Sequence, residues 1–351
     1  MLKGTKKSGV VASARTVDFN VPIDPKIDEV PRGMTWKSRG DSIDTRTGIN
    51  WTNQYGFIGL SASRELSTYL DGLNEKGLSA ALLWLEETKY MERKGSNDLA
   101  ALDLVAYLLG KCATAEEAKE EVKRHNIYAT HLNGYAIPLH LVVMDAAGES
   151  FVAEWINGQL NIFDKATTKG YTEVLTNSPT YDKQLANLNQ YSHLNCYHLG
   201  NTYSLDSMPG NSSSMSRFVR AAKLKECTEQ LGGAGDFLVN TEDEAMERLS
   251  VVIGRFDKPA GEVVLEDDPL QEGITLSYTR ISLIKIHGKN DEKGKATSKL
   301  YFRTPDNPSL RVIDLSKINF APSGNNKSKI KSFYVDSPLY KKAQEAIPVT
   351  N

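Results

Sequence analysis

The stretch Leu139–Phe163, LHLVVMDAAGESFVAEWINGQLNIF, decides the fold class. LHLVVMD and SFVAEWI are apolar runs of strand length, separated by Ala146-Ala147-Gly148-Glu149. QLNIF follows after Asn157-Gly158. An Asn-Gly pair between such runs is a strong hairpin signal, because both central residues of a type I′ turn need positive φ. Three consecutive strands joined this tightly can only pair antiparallel.

Working outward, more strands are predicted in GVVASARTVDF (9–19), YGFIGLSA (55–62) and Leu78–Leu85. Helical spacing marks NDLAALDLVAYLLGKC, which predicts a helix over 98–111 capped by Asn97 or Asp98. TAEEAKEEVKRH begins with Thr114 and Glu117 at capping-box spacing. Two later helices are predicted, one over 216–230 stopped by Gly232-Gly233, the other in EDEAMERLSVVIGRF. The strands ITLSYTRISLIKIH, SKLYFRTP and SLRVIDL come after them. Runs of strands and paired helices in that order indicate layered α+β, not alternating βαβ units. Helices 98–111 and 216–230 are expected on outer layers.

With 351 residues the chain can bury about three quarters of its unfolded surface, so it needs no disulfide or metal staple. It reads as a single domain over 1–351, without linker or repeat. Residues 288–299, GKNDEKGKATSK, form a polar hairpin tip expected to be mobile, and 322–351 a partly irregular surface segment. Apolar residues make up 40% and charged residues 25%, an ordinary globular balance. Lys and Arg total 42 against 44 Asp and Glu, which argues against a nucleic-acid partner. No run approaches the length of a membrane span, and no apolar segment of signal-peptide type follows the first lysines. The three cysteines, Cys112, Cys196 and Cys227, are widely spaced and form no CxxC pair; reduced or buried thiols are expected.

Several familiar constellations are excluded. There is no GxSxG elbow and no GxxxxGK[ST] loop. His193 and His198 lack further zinc ligands, and the Ser282–Lys285 SxxK spacing falls in an alternating strand without its companion motifs. What remains is a set of polar residues in unusual places. Arg15 and Asp18 end an apolar strand, Asn177 stands before Ser-Pro in VLTNSP, and Arg217 opens a largely apolar helix in SRFVRA. Each alone has an ordinary explanation: a turn asparagine, a solvated arginine.

Together they carry a resemblance. ARTVDF, LDGLNEKGLSAALLWLEET, LLGKCATAEEA, PLHLVVMDAAGES, VLTNSPTYDKQLANLNQY and MPGNSSSMSRFVRAAK run in family order from Arg15 to about Lys223. The sequence resembles the choloylglycine hydrolase family, which includes conjugated bile salt hydrolases and penicillin V acylases. The LLWLEE run and MPGNSSSMSRFVRA are more like the acylase branch. The resemblance implies a four-layer αββα sandwich, the N-terminal nucleophile hydrolase fold, with two antiparallel sheets between helix layers. It implies hydrolysis of linear amides with an apolar acyl group, such as phenoxyacetyl penicillins, N-acyl homoserine lactones or conjugated bile salts. It implies no metal and no cofactor. Relatives are often tetramers, so a homotetramer is the implied assembly.

By the same resemblance the nucleophile is an N-terminal Cys whose own α-amine takes the thiol proton. Arg15 would lie beside the sulfur and favour thiolate. Asp18 would hold the α-amine. The Asn177 carboxamide and the backbone N–H of Trp84 would bind the oxyanion, and Arg217 would order the site. Phe19, Tyr55 and the Trp84 side chain are candidates to line the substrate pocket. Counting back from Arg15 by the family's spacing ends two places before Met1, so the chain as given holds no nucleophile. Two readings stand: the true start lies upstream, with a periplasmic or secreted location if a signal peptide comes with it, or this is an inactive, acyl-ligand-binding relative in the cytoplasm.

Overall fold

A computed structural model of the chain describes residues 2–3, 9–19, 25–61, 68–95, 98–132, 134–194, 208–231, 239–265, 275–289, 291, 292, 294, 296–322 and 330–334. In chain order the strands of its two main sheets are β1 (Leu2–Lys3), β2 (Val11–Phe19), β3 (Lys26–Val30), β4 (Phe57–Ser61), β5 (Tyr69–Asn74), β6 (Ser79–Trp84) and β7 (Leu139–Met144). They continue with β8 (Ser150–Ile156), β9 (Gln159–Asp164), β10 (Val263–Leu265), β11 (Thr275–Ile286), β12 (Lys299–Thr304), β13 (Asn307–Asp314) and β14 (Lys331–Tyr334). The α-helices are α1 (Leu104–Lys111), α2 (Ala115–Arg124), α3 (Tyr181–Asn189), α4 (Ser214–Leu231) and α5 (Glu242–Ile253).

Eight strands form the larger sheet, in the order β9-β8-β7-β6-β5-β4-β3-β14, and six the smaller, β1-β2-β11-β12-β13 with β10 also on β11. Neighbours pair antiparallel, including the whole meander of 139–164. Asn157 and Gly158 both have positive φ, 53° and 73°, the type I′ geometry their identities predict. The two sheets face each other across Val17, Ile27, Ile58, Leu60, Leu73, Ile281, Leu283 and Phe302. On the other face of the larger sheet, Leu82, Leu141, Val143 and Phe151 pack against Leu104, Leu108 and Val122 of α1 and α2. On the other face of the smaller sheet, Ala12 and Ile284 pack against Ala245, Leu249 and Ile253 of α5. Helix, sheet, sheet, helix is the αββα order.

Three expectations need correction. The helical spacing of 98–111 does not start a helix at Asp98. Asp98–Ala100 is a short strand pairing parallel with Asn126–Tyr128, and α1 begins at Leu104. That pairing holds 98–100 extended; a 3-10 turn, Ala101–Asp103, then leads into α1, with the Asp103 carboxylate tied to the Arg39 guanidinium, Arg39 N–H and Ser38 Oγ. Second, α4 is not on an outer layer. Its Phe218 and Ala222 pack with Val152 and Val142, on the face of the larger sheet that also carries Leu60. Helix α4 thus lies beside β1, covering inner face the smaller sheet leaves open. Third, Cys227 is disulfide-bonded rather than a free thiol, while Cys112 is free and buried. Cys196 lies outside the described residues. Within the C-terminal segment, Lys331–Tyr334 pairs with Lys26–Glu29 as the edge strand β14. The hairpin tip falls partly outside the described residues, at 290, 293 and 295, and so do the helix-stop glycines Gly232 and Gly233.

Gly72 shows how tightly helix α1 sits on the larger sheet. A Cβ there would meet Leu109 Cδ1 at 2.5 Å and the Ile58 carbonyl oxygen at 2.6 Å. The leucine tip can turn away, but a carbonyl in a strand cannot. Gly72→Ala is expected to lower unfolding free energy by about 1–3 kcal/mol, read as a reduced urea midpoint at unchanged slope.

Candidate active site

The site forms where the two sheets, the α4 N-terminus and the turn before α3 meet. Strands β5 and β6 pair from Leu73–Ser79 to Asp71–Ala81. One residue further along each, the Arg15 guanidinium of β2 bridges them, donating to Leu70 O at 2.8 Å and Leu82 O at 2.6 Å. Its NH1 also reaches Asp71 Oδ2 at 3.3 Å. Asp71 is 1% exposed and takes a second cation on its other oxygen, the Lys285 ammonium of β11. Burial pulls the Lys285 amine below its ordinary range, opposed by Asp71 and reinforced by Arg15. Two cations therefore share one carboxylate, and the Arg15 Nε–H remains buried without a partner among the described residues.

Asp18 stands on the same strand, opposite Thr279, where β11 carries a bulge between Thr279 and Ile281. The bulge turns Thr279 onto a neighbouring segment. Its N–H donates to Lys258 O at 3.1 Å, and its Oγ1 accepts from Lys258 N–H at 2.8 Å. The same hydroxyl donates to Asp18 Oδ1 at 2.7 Å, and Lys258 Nζ lies 3.0 Å from Asp18 Oδ2.

Asn177 and Arg217 meet directly. Arg217 is on the first turns of α4, where side chains lean toward the helix start. Its Nε donates to Ser212 O at 3.0 Å and its NH2 to Asn177 Oδ1 at 2.8 Å. Burial lowers the Arg217 guanidinium from its ordinary value, and the nearby Asp18 carboxylate opposes that. With Oδ1 held, the Asn177 amide must point the other way, and Nδ2 donates to Trp84 O at 3.0 Å. One Nδ2–H is left over. The backbone around Asn177 is fixed by its N–H to Ser214 Oγ at 2.9 Å and by Gln184 Nε2 to its carbonyl at 3.2 Å.

Trp84 contributes its backbone. Leu85 N–H donates to Pro138 O at 3.0 Å, so Leu85 faces Pro138 as a bonded pair. The adjacent pair, Trp84 with Leu139, is then of the non-bonded kind, and the Trp84 N–H and C=O both point away from β7, toward Asn177. Leu82 and Trp84 are two residues apart on β6, about 7 Å, so the Arg15 and Asn177 groups attach to neighbouring places on one strand. The Trp84 indole stacks on Tyr135 with centroids 6.1 Å apart and donates to Glu86 at 2.8 Å.

One of the proposed pocket residues, Tyr55, is not brought here. Tyr55 sits under the Lys76 ammonium at the turn end of the β5–β6 hairpin, opposite the Trp84 end. Phe19 packs onto the core between the sheets. Lys258 and Thr279 were not legible as site residues, since one follows a helix before a proline and the other is one polar residue among several in a strand. Asp71 had a signal: it is the one carboxylate in the otherwise uncharged strand YLDGLN.

The αββα fold thus gathers a cluster of guanidinium, carboxylate and carboxamide where its two sheets meet. The chain matches the profile of linear amide C–N hydrolases, choloylglycine hydrolase family, over residues 1–332, and it belongs to that family. It is 29% identical over 308 residues to a penicillin V acylase of Pectobacterium atrosepticum, covering 83% of this chain and 74% of that protein. It is 29% identical over 240 residues to a bile salt hydrolase/transferase of Clostridium perfringens, covering 63% and 69%. Among solved structures, the penicillin V acylase from Agrobacterium tumefaciens superposes with a TM-score of 0.75 at 24% identity, over 100% of this chain and 96% of that one. A mutant conjugated bile acid hydrolase from Clostridium perfringens gives 0.72 at 22% identity, over 95% and 94%. These two show the shared fold.

A pH test follows from His287, which anchors β2 two residues from Arg15. Its Nδ1 faces Gly77 O at 2.9 Å and so carries the proton, leaving Nε2 to accept from Ser13 Oγ at 2.7 Å. Burial, with help from Lys285, lowers its pKa from 6.5 to about 3. In that window the unfolded chain binds a proton that the folded chain does not. Stability is therefore fully present above pH 6.5 and falls as pH drops toward 3, by up to about 1.4 kcal/mol per pH unit. His287→Gln is expected to flatten that slope by close to one proton in urea titrations at successive pH values.

Proposed function

We propose that the chain hydrolyses linear amides of small molecules with an apolar acyl group, using a cysteine two places ahead of Met1 as nucleophile. The observation that carries this is the register of β1. Leu2 lies opposite Ala12 and Lys3 opposite Val11. Continued in the same register, the residue two places before Met1 comes opposite Arg15. Neither described cysteine is available: burial pushes the Cys112 thiol up to about 12, and Cys227 is bridged.

Each step of the reaction then balances. The α-amine of the terminal cysteine takes the Sγ proton. The thiolate attacks the amide carbonyl, a C–S bond forms, and the oxygen gains the charge. The second Nδ2–H of Asn177 and the Trp84 N–H are the donors for it, each worth about 10²–10³ in rate. The C–N bond breaks as the α-ammonium returns its proton to the leaving amine. Water, deprotonated by the same amine, then cleaves the thioester and restores the thiol. Arg15 Nε–H, buried and unpartnered, is the donor left for the sulfur. Asp18 binds the α-amine with Lys258 beside it, and a cation there disfavours a second one, keeping the α-amine a free base.

The apolar acyl preference and the small-molecule substrate are supported by relatives named for penicillin V and bile salts. The Cys227 bridge supports an oxidising, periplasmic or secreted location. A homotetramer is part of the same reading, with light scattering as its check.

The test is to place Cys-Thr before Met1, with the cysteine exposed at the terminus, and measure hydrolysis of penicillin V, an acyl homoserine lactone and a glycine-conjugated bile salt. Activity on any of these, lost by about 10⁶ on Cys→Ala, is expected. An extended, folded protein silent on all three that still binds one is instead an acyl-ligand-binding protein. In the active form, Lys258→Met is expected to move the acid limb of kcat/KM to higher pH, because losing the cation raises the pKa of the α-amine and of the thiol alike.

A further inference from the structure

We propose that His140 and Glu154 are positioning residues for amide cleavage, gripping both ends of the turn that presents Asn177. The proposal rests on the reading of Asn177 as an oxyanion donor. His140 and Glu154 are both fully buried, at 0% exposure. The register of β7 and β8 places them directly opposite each other, and Nδ1 lies 3.0 Å from Glu154 Oε1. Their face of the larger sheet is otherwise apolar here, with Val142 and Val152 packed against Tyr181 and Phe218.

Each partner holds one end of the same turn. His140 Nε2 is 3.0 Å from Thr176 O, the carbonyl immediately before Asn177. Both Glu154 oxygens accept from Tyr181 N–H at 3.1 Å, where α3 begins. Between these anchors runs Asn177-Ser178-Pro179-Thr180. Within it, Asn177 N–H reaches Ser214 and Ser178 Oγ accepts Glu86 N–H at 2.9 Å.

Counting protons defines how the pair works. Thr176 O can only accept, so Nε2 carries a hydrogen. One further proton then lies between Nδ1 and Oε1, whichever atom holds it. The pair is net neutral, and a hydrogen-bond donor in place of a carboxylate oxygen can do the same work. Glutamine fits: its NH2 donates to the Nδ1 lone pair of a neutral ring, and its oxygen accepts from Tyr181.

A buried polar pair is seldom the most stabilising filling for an apolar layer; well-packed apolar side chains are often as good or better. What apolar side chains cannot do is fix a carbonyl and an N–H on either side of a reactive amide. A displacement of about 1 Å in a reacting group can cost about 10² in rate.

The test compares H140A, E154A and E154Q in the enzyme carrying the terminal cysteine, with kcat expressed per titratable terminal thiol. H140A and E154A are expected to lower kcat by about 10–10² with KM within about threefold, and E154Q to stay within about threefold of the parent. Unchanged kcat in both alanine variants, or E154Q as impaired as E154A, overturns the proposal. Glu154→Met, which keeps volume but removes the hydrogen bonds, replaces E154A if the cavity prevents folding, with the same expected loss. A second arm needs no activity: crystal structures of the chain as it exists, parent and E154A or Glu154→Met. The Asn177 Nδ2 to Trp84 O contact of 3.0 Å is expected to break in the variant. Its persistence overturns the proposal, even if the extended parent enzyme is silent and the hydrolase reading itself fails.

Discussion

One buried carboxylate joins the two sheets. Asp71 belongs to the larger sheet, and both cations it holds, Arg15 and Lys285, belong to the smaller. Removing one partner of a buried ion pair typically costs about 3–5 kcal/mol, so this contact locks how the sheets face each other. It also leaves an electrostatic imbalance. Two cations on one anion give the pocket beside Arg15 a positive bias, relieved in part as burial pulls Lys285 toward its neutral form. A positive bias in a dry place is what a thiolate or an oxyanion needs. The lock on the fold and the field beside Arg15 come from the same three side chains.

The rest of the site is arranged by backbone irregularity rather than by regular elements. Strands β5 and β6 part after Asp71–Ala81, and their freed carbonyls seat Arg15. The bulge in β11 turns Thr279 toward Lys258 and Asp18. The turn between Thr176 and Tyr181 hangs from His140 and Glu154. Each is a place where a ladder stops and a side chain takes its hydrogen bonds. Such places carry function because free backbone groups there can face a ligand.

This explains what was legible in the sequence. Features fixed by neighbours along the chain could be read. Asn157-Gly158 takes the I′ turn because both residues tolerate positive φ, and Thr114 caps α2 by accepting Glu117 N–H at 3.2 Å. Residues whose partners lie far away could not. Asp98–Ala100 is drawn out of the helical pattern only because Asn126–Tyr128, far along the chain, pairs with it. Lys258 faces Asp18 only through the Thr279 bulge. Arg15, Asp18, Asn177 and Arg217 were singled out by resemblance, since none has a local pattern marking it as more than a turn or strand-end residue.

His140 and Glu154 show the limit most sharply. In LHLVVMD and SFVAEWI they read as the polar members of alternating strands, which pattern logic assigns to solvent. In the structure neither is exposed. The antiparallel register sets them opposite each other, and β7 and β8 are interior strands of the sheet, covered on one face by α1 and α2 and on the other by α3 and α4. A polar pair in that position must find every hydrogen bond within the protein, since no water competes. The available partners are Thr176 O and Tyr181 N–H, the two backbone groups that bracket Asn177. Burial therefore turns an ordinary cross-strand pair into a clamp on the turn, and the hairpin that reveals the fold class also carries the support of the site.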